Sequence, residues 1–436
     1  MSERQNRVVI TGIGVIGPLG LDPGAMQSAL AEGRTGIGRP RLLPAETSPI
    51  RVTAEAIEFD GKIDGFGPLS PARRKAIRKG LKVMCREIQM GVAASQRAMG
   101  DAALDEGGYE ADRTGMVFGS DYILTVPEEI EPAVRACLDD RGEFDFGRWG
   151  ADAIPKVAPL WLLKYLPNMP ASHVAIYNDL RGPNNSLTVR EASGLMALAE
   201  AASIIARGDA DIMLAGATGT RVHPLRSLHA AMQEDVVRDA DDPSFASRPF
   251  EIGRQGMVLG EGAAVVVLER RDLAESRGAT IWGEVAGCGL ATSTVGGPVD
   301  IRHHSLQAAL EQALEQSSVG IDDIGHYQAQ GLATRQADVG ESRALQGVFG
   351  DRIVPVTAIS SYCGNVGAAS GLFQLVAGLL VHQRGEIFPV AGFDTCDPQC
   401  EPLGVVTEPT PVSGTSFAAA SATLQGQAAA TVIQIA

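Results

Sequence analysis

The residues with the most chemical promise lie in the segment Gly182-Pro-Asn-Asn-Ser-Leu-Thr-Val-Arg-Glu-Ala-Ser-Gly194. Its first part has the character of a strand and its end opens a helix. Residues 191–194 therefore fall at a helix N-terminus, where backbone N–H groups lack intrahelical partners. That is a favoured place for a nucleophile or an anion, and a carboxylate, Glu191, stands there. The helix dipole stabilises such a charge by about 0.3–1 kcal/mol, and more when it is partly buried. Glu191 thus admits two roles: a structural plug satisfied by backbone donors and a charged neighbour, or a general base or substrate anchor. Burial would raise its pKa and the dipole would lower it, so the sequence leaves the sign open.

Two other groupings have the spacing of a site. Cys396 and Cys400 could begin a metal centre, but no second Cys or His pair follows at ligand spacing, so neither a metal nor another cofactor is expected. Arg73, Arg74, Lys75, Arg78, Lys79, Lys82 and Arg86 lie in a segment of helical character. They form either a solvated face or a dock for an acidic partner.

The elements that must position Glu191 occur twice. Ala192-Ser-Gly-Leu195 returns as Ala369-Ser-Gly-Leu372, and Arg207-Gly208 as Arg384-Gly385, both at a constant spacing of 177 residues. The small and apolar residues from Ala192 to Ile205 fit a buried helix stopped at Gly208 and followed by a strand at Ile212–Ala215. Arg7–Gly14 and Thr280–Ala286 each open a half as a core strand, and Met116–Gly119 and His326–Gly331 end strands ahead of polar loops. Strands alternating with buried helices predict an α/β protein with mostly parallel sheets, and helices this apolar belong in the middle of a five-layered sandwich. The halves are placed at 1–263 and 264–436, with an insertion around 120–170 and a surface wrap over 38–70.

The 436 residues suit two lobes, and 45% hydrophobic residues, 20% charged residues and 51 glycines mark a compact, turn-rich chain. A net charge of −15 argues against nucleic acid as a partner. The apolar run at 372–381 is shorter than the roughly 20 residues that span a bilayer, so no membrane span is expected. Scattered cysteines and the lack of a signal segment point to a reduced, cytoplasmic protein.

Together with Arg248-Pro-Phe-Glu251, Gly256-Met-Val-Leu-Gly-Glu-Gly-Ala263 and the opening Val8-Val-Ile-Thr-Gly-Ile-Gly-Val-Ile-Gly-Pro-Leu-Gly20, the 182–194 segment resembles the β-ketoacyl synthase family over nearly the whole chain. The resemblance implies a thiolase-like fold, duplicated βαβαβαβ halves forming a five-layered αβαβα sandwich, and an acyltransferase site with a cysteine nucleophile and two histidines. The positions it assigns to those three hold Glu191, Gln330 (in Ala329-Gln-Gly-Leu-Ala-Thr334) and Asn365. A usual lysine is Ser360, a usual phenylalanine is Met257, and a Gly-Phe-Gly-Gly loop reads Thr423-Leu424-Gln-Gly-Gln427. Ser193, Met257, Thr334, Ser360, Cys363 and Leu424 are the remaining residues it places around a substrate pocket. Asp338 and Glu341 fit either paired acids or anchors for the loop after Gly331. Cys363 lacks a histidine in its own motif, and of the seven histidines only His326, four residues before Gln330, stays in reserve.

A carboxylate attacking a thioester would give a mixed anhydride, and Gln or Asn cannot shuttle protons near neutrality. The usual condensation is therefore expected to be absent. What remains are a chain-length-factor-like subunit paired with an active ketosynthase and an acyl carrier protein, a stand-alone enzyme using Glu191 as general base on a carrier-bound chain, or an acyl-binding homodimer. A closed site at Glu191 favours the first and an open polar tunnel the second.

Overall fold

The computed structural model describes residues 7–105, 107–293 and 301–435. Its frame consists of ten strands and six helices, five and three from each half. In the N-terminal half these are β1 (Val8–Ile16), α1 (Arg86–Asp101), β2 (Thr114–Ser120), α2 (Met169–Asn178), β3 (Asn184–Thr188), α3 (Ser193–Ala206), β4 (Ile212–Thr220) and β5 (Leu259–Arg270). In the C-terminal half they are β6 (Gly283–Thr292), α4 (Ile301–Gln316), β7 (Ile324–Gln328), α5 (Arg335–Phe349), β8 (Pro355–Thr357), α6 (Ser370–Arg384), β9 (Ser416–Ala422) and β10 (Gln427–Gln434).

The two halves have one topology. The N-terminal strands run β3-β2-β4-β5-β1 and the C-terminal strands β8-β7-β9-β10-β6. In each, the first two pairings are parallel and the last two antiparallel. A short antiparallel seam, Val9 to Glu284 and Ile10 to Gly283, joins β1 to β6. One core cluster packs α3 and α6 between the sheets, a second packs α1 and α2 on the outer N-terminal face, and a third packs α4 and α5 on the outer C-terminal face. This is the five-layered αβαβα arrangement anticipated from the repeat.

The repeat's invariant glycines have a packing reason. A Cβ at Gly194 would lie 3.1 Å from Cγ of Leu372, and one at Gly371 would lie 2.7 Å from Cγ of Leu195. Each middle helix therefore seats the leucine of the other in a space only glycine leaves open. Gly208 and Gly385 end the two helices at φ +82° and +78°, as the Arg-Gly pairs suggested.

Three expectations are amended. The sheets are not mostly parallel: in each half two of the four pairings are antiparallel, and so is the seam between the halves. Residues 38–70 do not merely wrap the surface: Ile50, Val52, Ala54, Phe59 and Phe66 are buried, and Thr53-Ala54 pairs in parallel with Leu259-Gly260. Their burial follows no helical or strand period, so the pattern hid it. The division at residues 263 and 264 falls inside β5, a continuous strand to Arg270 bonded to β1 and β4. Residues 121–168 form the insertion between β2 and α2 and carry the helix Pro127–Ala136.

Candidate functional site

Glu191 is placed by a sharp elbow. The chain leaves β3, takes a left-handed step at Arg190 (φ +48°), and makes one 3-10 turn over Arg190–Ala192 before α3 begins. Ser193 secures the elbow: its Oγ accepts the Val189 N–H at 2.8 Å and donates to the Ser120 carbonyl at 3.2 Å. Wholly buried, Ser193 ties β2, β3 and α3 together.

Three further residues converge on the Glu191 carboxylate. Arg221, the residue after β4, donates from Nη1 to Oε1 at 2.6 Å. Asn365 donates from Nδ2 to the same oxygen at 3.1 Å, and Arg190 Nε lies 3.6 Å from Oε2. Glu234, which follows the helix Pro224–Gln233, closes the arrangement by accepting from Arg221 Nη2 at 2.6 Å and Arg190 Nη2 at 2.9 Å. The result is a ring of alternating charge, Glu191, Arg221, Glu234 and Arg190, with no net charge. Glu191 and Arg221 have side chains only 6% and 5% exposed. Such burial is tolerated because every charge is paired and hydrogen-bonded.

Asn365 is fixed by its surroundings. Its N–H donates to Val258 O at 2.8 Å, its carbonyl accepts Gly260 N–H at 2.9 Å, and its Oδ1 accepts Gly367 N–H and Ser370 Oγ at 2.9 and 3.1 Å. With Oδ1 committed, Nδ2 faces Glu191 and the Met257 sulfur, 3.3 Å away.

The electrostatics settle the sign that sequence left open. Burial pushes the Glu191 carboxyl up, but Arg221, Arg190, the local backbone N–H and Asn365 together outweigh it and hold the group at about 2. The same ring raises Arg190 despite its burial. A carboxylate this acidic is a poor proton acceptor near neutrality.

The other anticipated residues serve elsewhere. Gln330 does not flank Glu191 as a donor: its Nε2 donates to the Ala422 carbonyl at 2.9 Å and its Oε1 accepts the Ala422 N–H at 3.0 Å. A side chain so placed extends the hydrogen-bonding of β9. Glu341 accepts the Gln330 and Gly331 N–H groups at 2.8 and 2.9 Å, anchoring the loop. Asp338 accepts Phe250 N–H at 2.8 Å and pairs with Arg254 at 3.1 Å; burial nonetheless pushes it up to about 7. Thr334 caps α5, and Ser360 Oγ donates to Gly331 O at 2.5 Å. Cys363 is buried, donates to Ile359 O at 3.3 Å, and has its thiol pushed well up by burial. Met257 packs on Val222 and Leu259. Leu424 is 40% exposed in the turn between β9 and β10. His326, Phe417 and His382 form a triangle of rings, with centroids 5.1 and 5.2 Å from His326, and burial keeps His326 neutral.

Sequence reading missed Arg221 and Glu234. The available signal was Arg221 itself, a charge directly following the strand Ile212–Thr220, which has no charged residue and is buried throughout. A second buried pair, Arg226 with Asp121, stands beside the ring; its guanidinium lies 4.5 Å over the Tyr122 ring and donates to Tyr122 O at 2.9 Å. Among the described residues no group of three His, Cys, Asp or Glu side chains could hold a metal. No helix of the described residues is long and apolar enough to cross a membrane.

Fold and site geometry together define a class, and comparison with known proteins bears on it directly. Residues 5–274 match the family model of the beta-ketoacyl synthase N-terminal domain, and residues 282–394 that of the C-terminal domain. The chain belongs to the beta-ketoacyl synthase family, and its fold is the thiolase-like fold. Among particular relatives it is 30% identical to 3-oxoacyl-[acyl-carrier-protein] synthase 2 of Coxiella burnetii over 401 residues, 91% of each chain. It is 32% identical over 402 residues to the tetracenomycin polyketide synthase ketoacyl synthase alpha subunit of Streptomyces glaucescens, covering 91% of this chain and 89% of that one. The ishigamide ketosynthase/chain length factor structure superposes with a TM-score of 0.82 at 24% identity, over 99% of each chain, a likeness of fold.

Proposed function

We propose that this chain is a non-condensing, chain-length-factor-like subunit of fatty-acid or polyketide biosynthesis, acting beside an active ketosynthase. The observation that carries the reading is the closed ring of Glu191, Arg221, Glu234 and Arg190 at the position where family resemblance puts the acyl-accepting nucleophile. Acyl transfer there would need an available nucleophile and a proton acceptor. Glu191 is an ion-paired carboxylate held at about 2, Asn365 carries no titratable proton, and Gln330 is engaged with Ala422. The low pKa also weighs against the stand-alone enzyme with Glu191 as general base.

Association is supported by the open edge of the N-terminal sheet. The edge strand β3, Asn184-Asn-Ser-Leu-Thr188, carries no charge to discourage pairing, and the insertion exposes Tyr122, Phe144, Phe146, Leu160 and Leu162. The named relatives include a ketoacyl synthase alpha subunit and a ketosynthase/chain length factor, in keeping with a heterodimer rather than an acyl-binding homodimer. For an acyl carrier protein the basic helix Pro71–Gly80 offers a smaller face than its sequence suggests. Arg86 is drawn inside to Glu261, and Arg73 and Arg74 bond Asp105 and Asp64, leaving Lys75, Arg78, Lys79 and Lys82 exposed. Six free thiols fit a reducing, cytoplasmic setting.

The test is acyl loading from malonyl- and acyl-carrier protein followed by mass spectrometry, alone and with an active ketosynthase. The expected result is no loading and no turnover alone, with a change of product length in the mixture. Turnover by the chain alone that stops in Glu191→Gln would overturn the reading.

A further inference from the structure

We infer that Arg190, Arg221 and Asn365 form a carboxylate-binding site that the chain fills with its own Glu191, so that the class of ligand the site takes is a small monocarboxylate. The inference deepens the closed-site reading above and rests on it.

A residue that only fills space needs neighbours of the right shape. Glu191 has more than that: both of its oxygens face donors, and each donor is held in place by something other than Glu191. Arg221 is braced by Glu234 through Nη2 and by its backbone N–H to Gly260 O at 2.9 Å. Arg190 is braced by Glu234 through Nη2. Asn365 is braced at Oδ1 by Gly367 and Ser370 and at its backbone by Val258 and Gly260. Among the described residues Arg190 Nε is buried and makes no hydrogen bond, and Glu191 Oε2 lies 3.6 Å from it. The donors therefore keep their positions when the carboxylate is taken away, which is the condition for a preorganised site. Without it the buried ring holds two guanidinium groups against one carboxylate, an excess of one positive charge that a bound anion would cancel.

The geometry also sets the size of the ligand. Glu191→Ala removes Cγ, Cδ and both oxygens, and acetate replaces those atoms one for one. Propionate carries one carbon too many, and acetamide has the shape without the charge.

The experiment measures thermal unfolding of E191A in acetate, propionate, acetamide and chloride at equal ionic strength, with acetate binding followed by calorimetry. E191A should melt several degrees below the native protein. Acetate should restore at least half of that loss with a dissociation constant in the millimolar range, propionate less, and acetamide or chloride none. The native protein, its site already filled, should not respond, and neither should E191A/R221M. Should E191A fail to accumulate folded, its refolding yield from denaturant with acetate against acetamide gives the same readout. Acetate acting no better than chloride or acetamide, or acting equally on the native protein, overturns the inference. No ketosynthase or carrier protein enters this test, so its failure is separate from a failure of the partner-subunit reading.

Discussion

The same elbow is built twice in this chain, and the two copies use it differently. Arg190-Glu-Ala-Ser-Gly194 in the first half corresponds to Gly367-Ala-Ala-Ser-Gly371 in the second, and each makes a 3-10 turn before its middle helix. Each first residue is left-handed, Arg190 at φ +48° and Gly367 at +66°. The C-terminal copy meets this demand with glycine, which adopts such angles freely. The N-terminal copy meets it with arginine, at a conformational cost of order 1–3 kcal/mol. Arg190 is held there by its charged hydrogen bond to Glu234. Charge and strain thus coincide at one elbow, while the other stays apolar. The scaffold requires the bend in both halves, and only the first adds a charged site to it.

Moving the charge to the other elbow should have the largest effect. Ala368, the counterpart of Glu191, is wholly buried, its own elbow sequence has no arginine, and Arg221, which packs beside Gly367, is already paired with Glu191 and Glu234. Ala368→Glu should therefore destabilise by at least about 3 kcal/mol, comparable to an uncompensated buried charge, seen as loss of folded protein or a lowered denaturant midpoint. Equal stability would mean the elbows are not distinguished by their arginines. Next, Arg221→Met should cost about 3–5 kcal/mol by stranding Glu191, and the double change with Glu191→Leu should recover most of it in a denaturant cycle.

Acid titration sharpens the comparison further. Glu191, lowered from 4.5 to about 2, stabilises the fold above pH 4.5, and that stability is lost as pH falls from 4.5 toward 2. Its size is at most about 3 kcal/mol. His382 in the second half, lowered by burial from 6.5 to about 4, stabilises above pH 6.5 and loses that contribution between 6.5 and 4. Glu191→Gln should reduce the lower step and leave the upper intact, and His382→Phe should reduce the upper, to which His223 of the first half, also lowered to about 4, contributes as well, and leave the lower intact in pH-dependent unfolding. The smallest effect comes from the bend itself. Gly367→Ala should cost about 1–2 kcal/mol, since alanine resists a left-handed φ, whereas Arg190→Gly should fall within about 1 kcal/mol of native because relieved strain offsets the lost pairs.

How much of this was legible in sequence depends on the reach of each interaction. The duplicated frame was, because Gly194, Gly371, Gly208 and Gly385 recur at one spacing, and Gly208 and Gly385 meet the local demand of a helix end at positive φ; that Gly194 and Gly371 answer to a leucine of the other half was not. Glu191 was, because a helix start is a local event. Its partners were not: Arg221 and Glu234 lie 30 and 43 positions away, and each alone looks like a surface charge. Gln330 was placed beside Glu191 by family position, but a glutamine beside an open backbone pair at Ala422 bonds there first. The burial of residues 38–70 escaped because irregular chain follows no period.

The reciprocal seats of Gly194 under Leu372 and Gly371 under Leu195 bear on the history of the molecule. A larger side chain at either glycine is barred by a leucine that belongs to the other half, and a change in either leucine alters the space the other glycine must leave. The two copies differ at their elbows, one holding a charged ring and the other alanine, but at this crossing each is sterically dependent on the other.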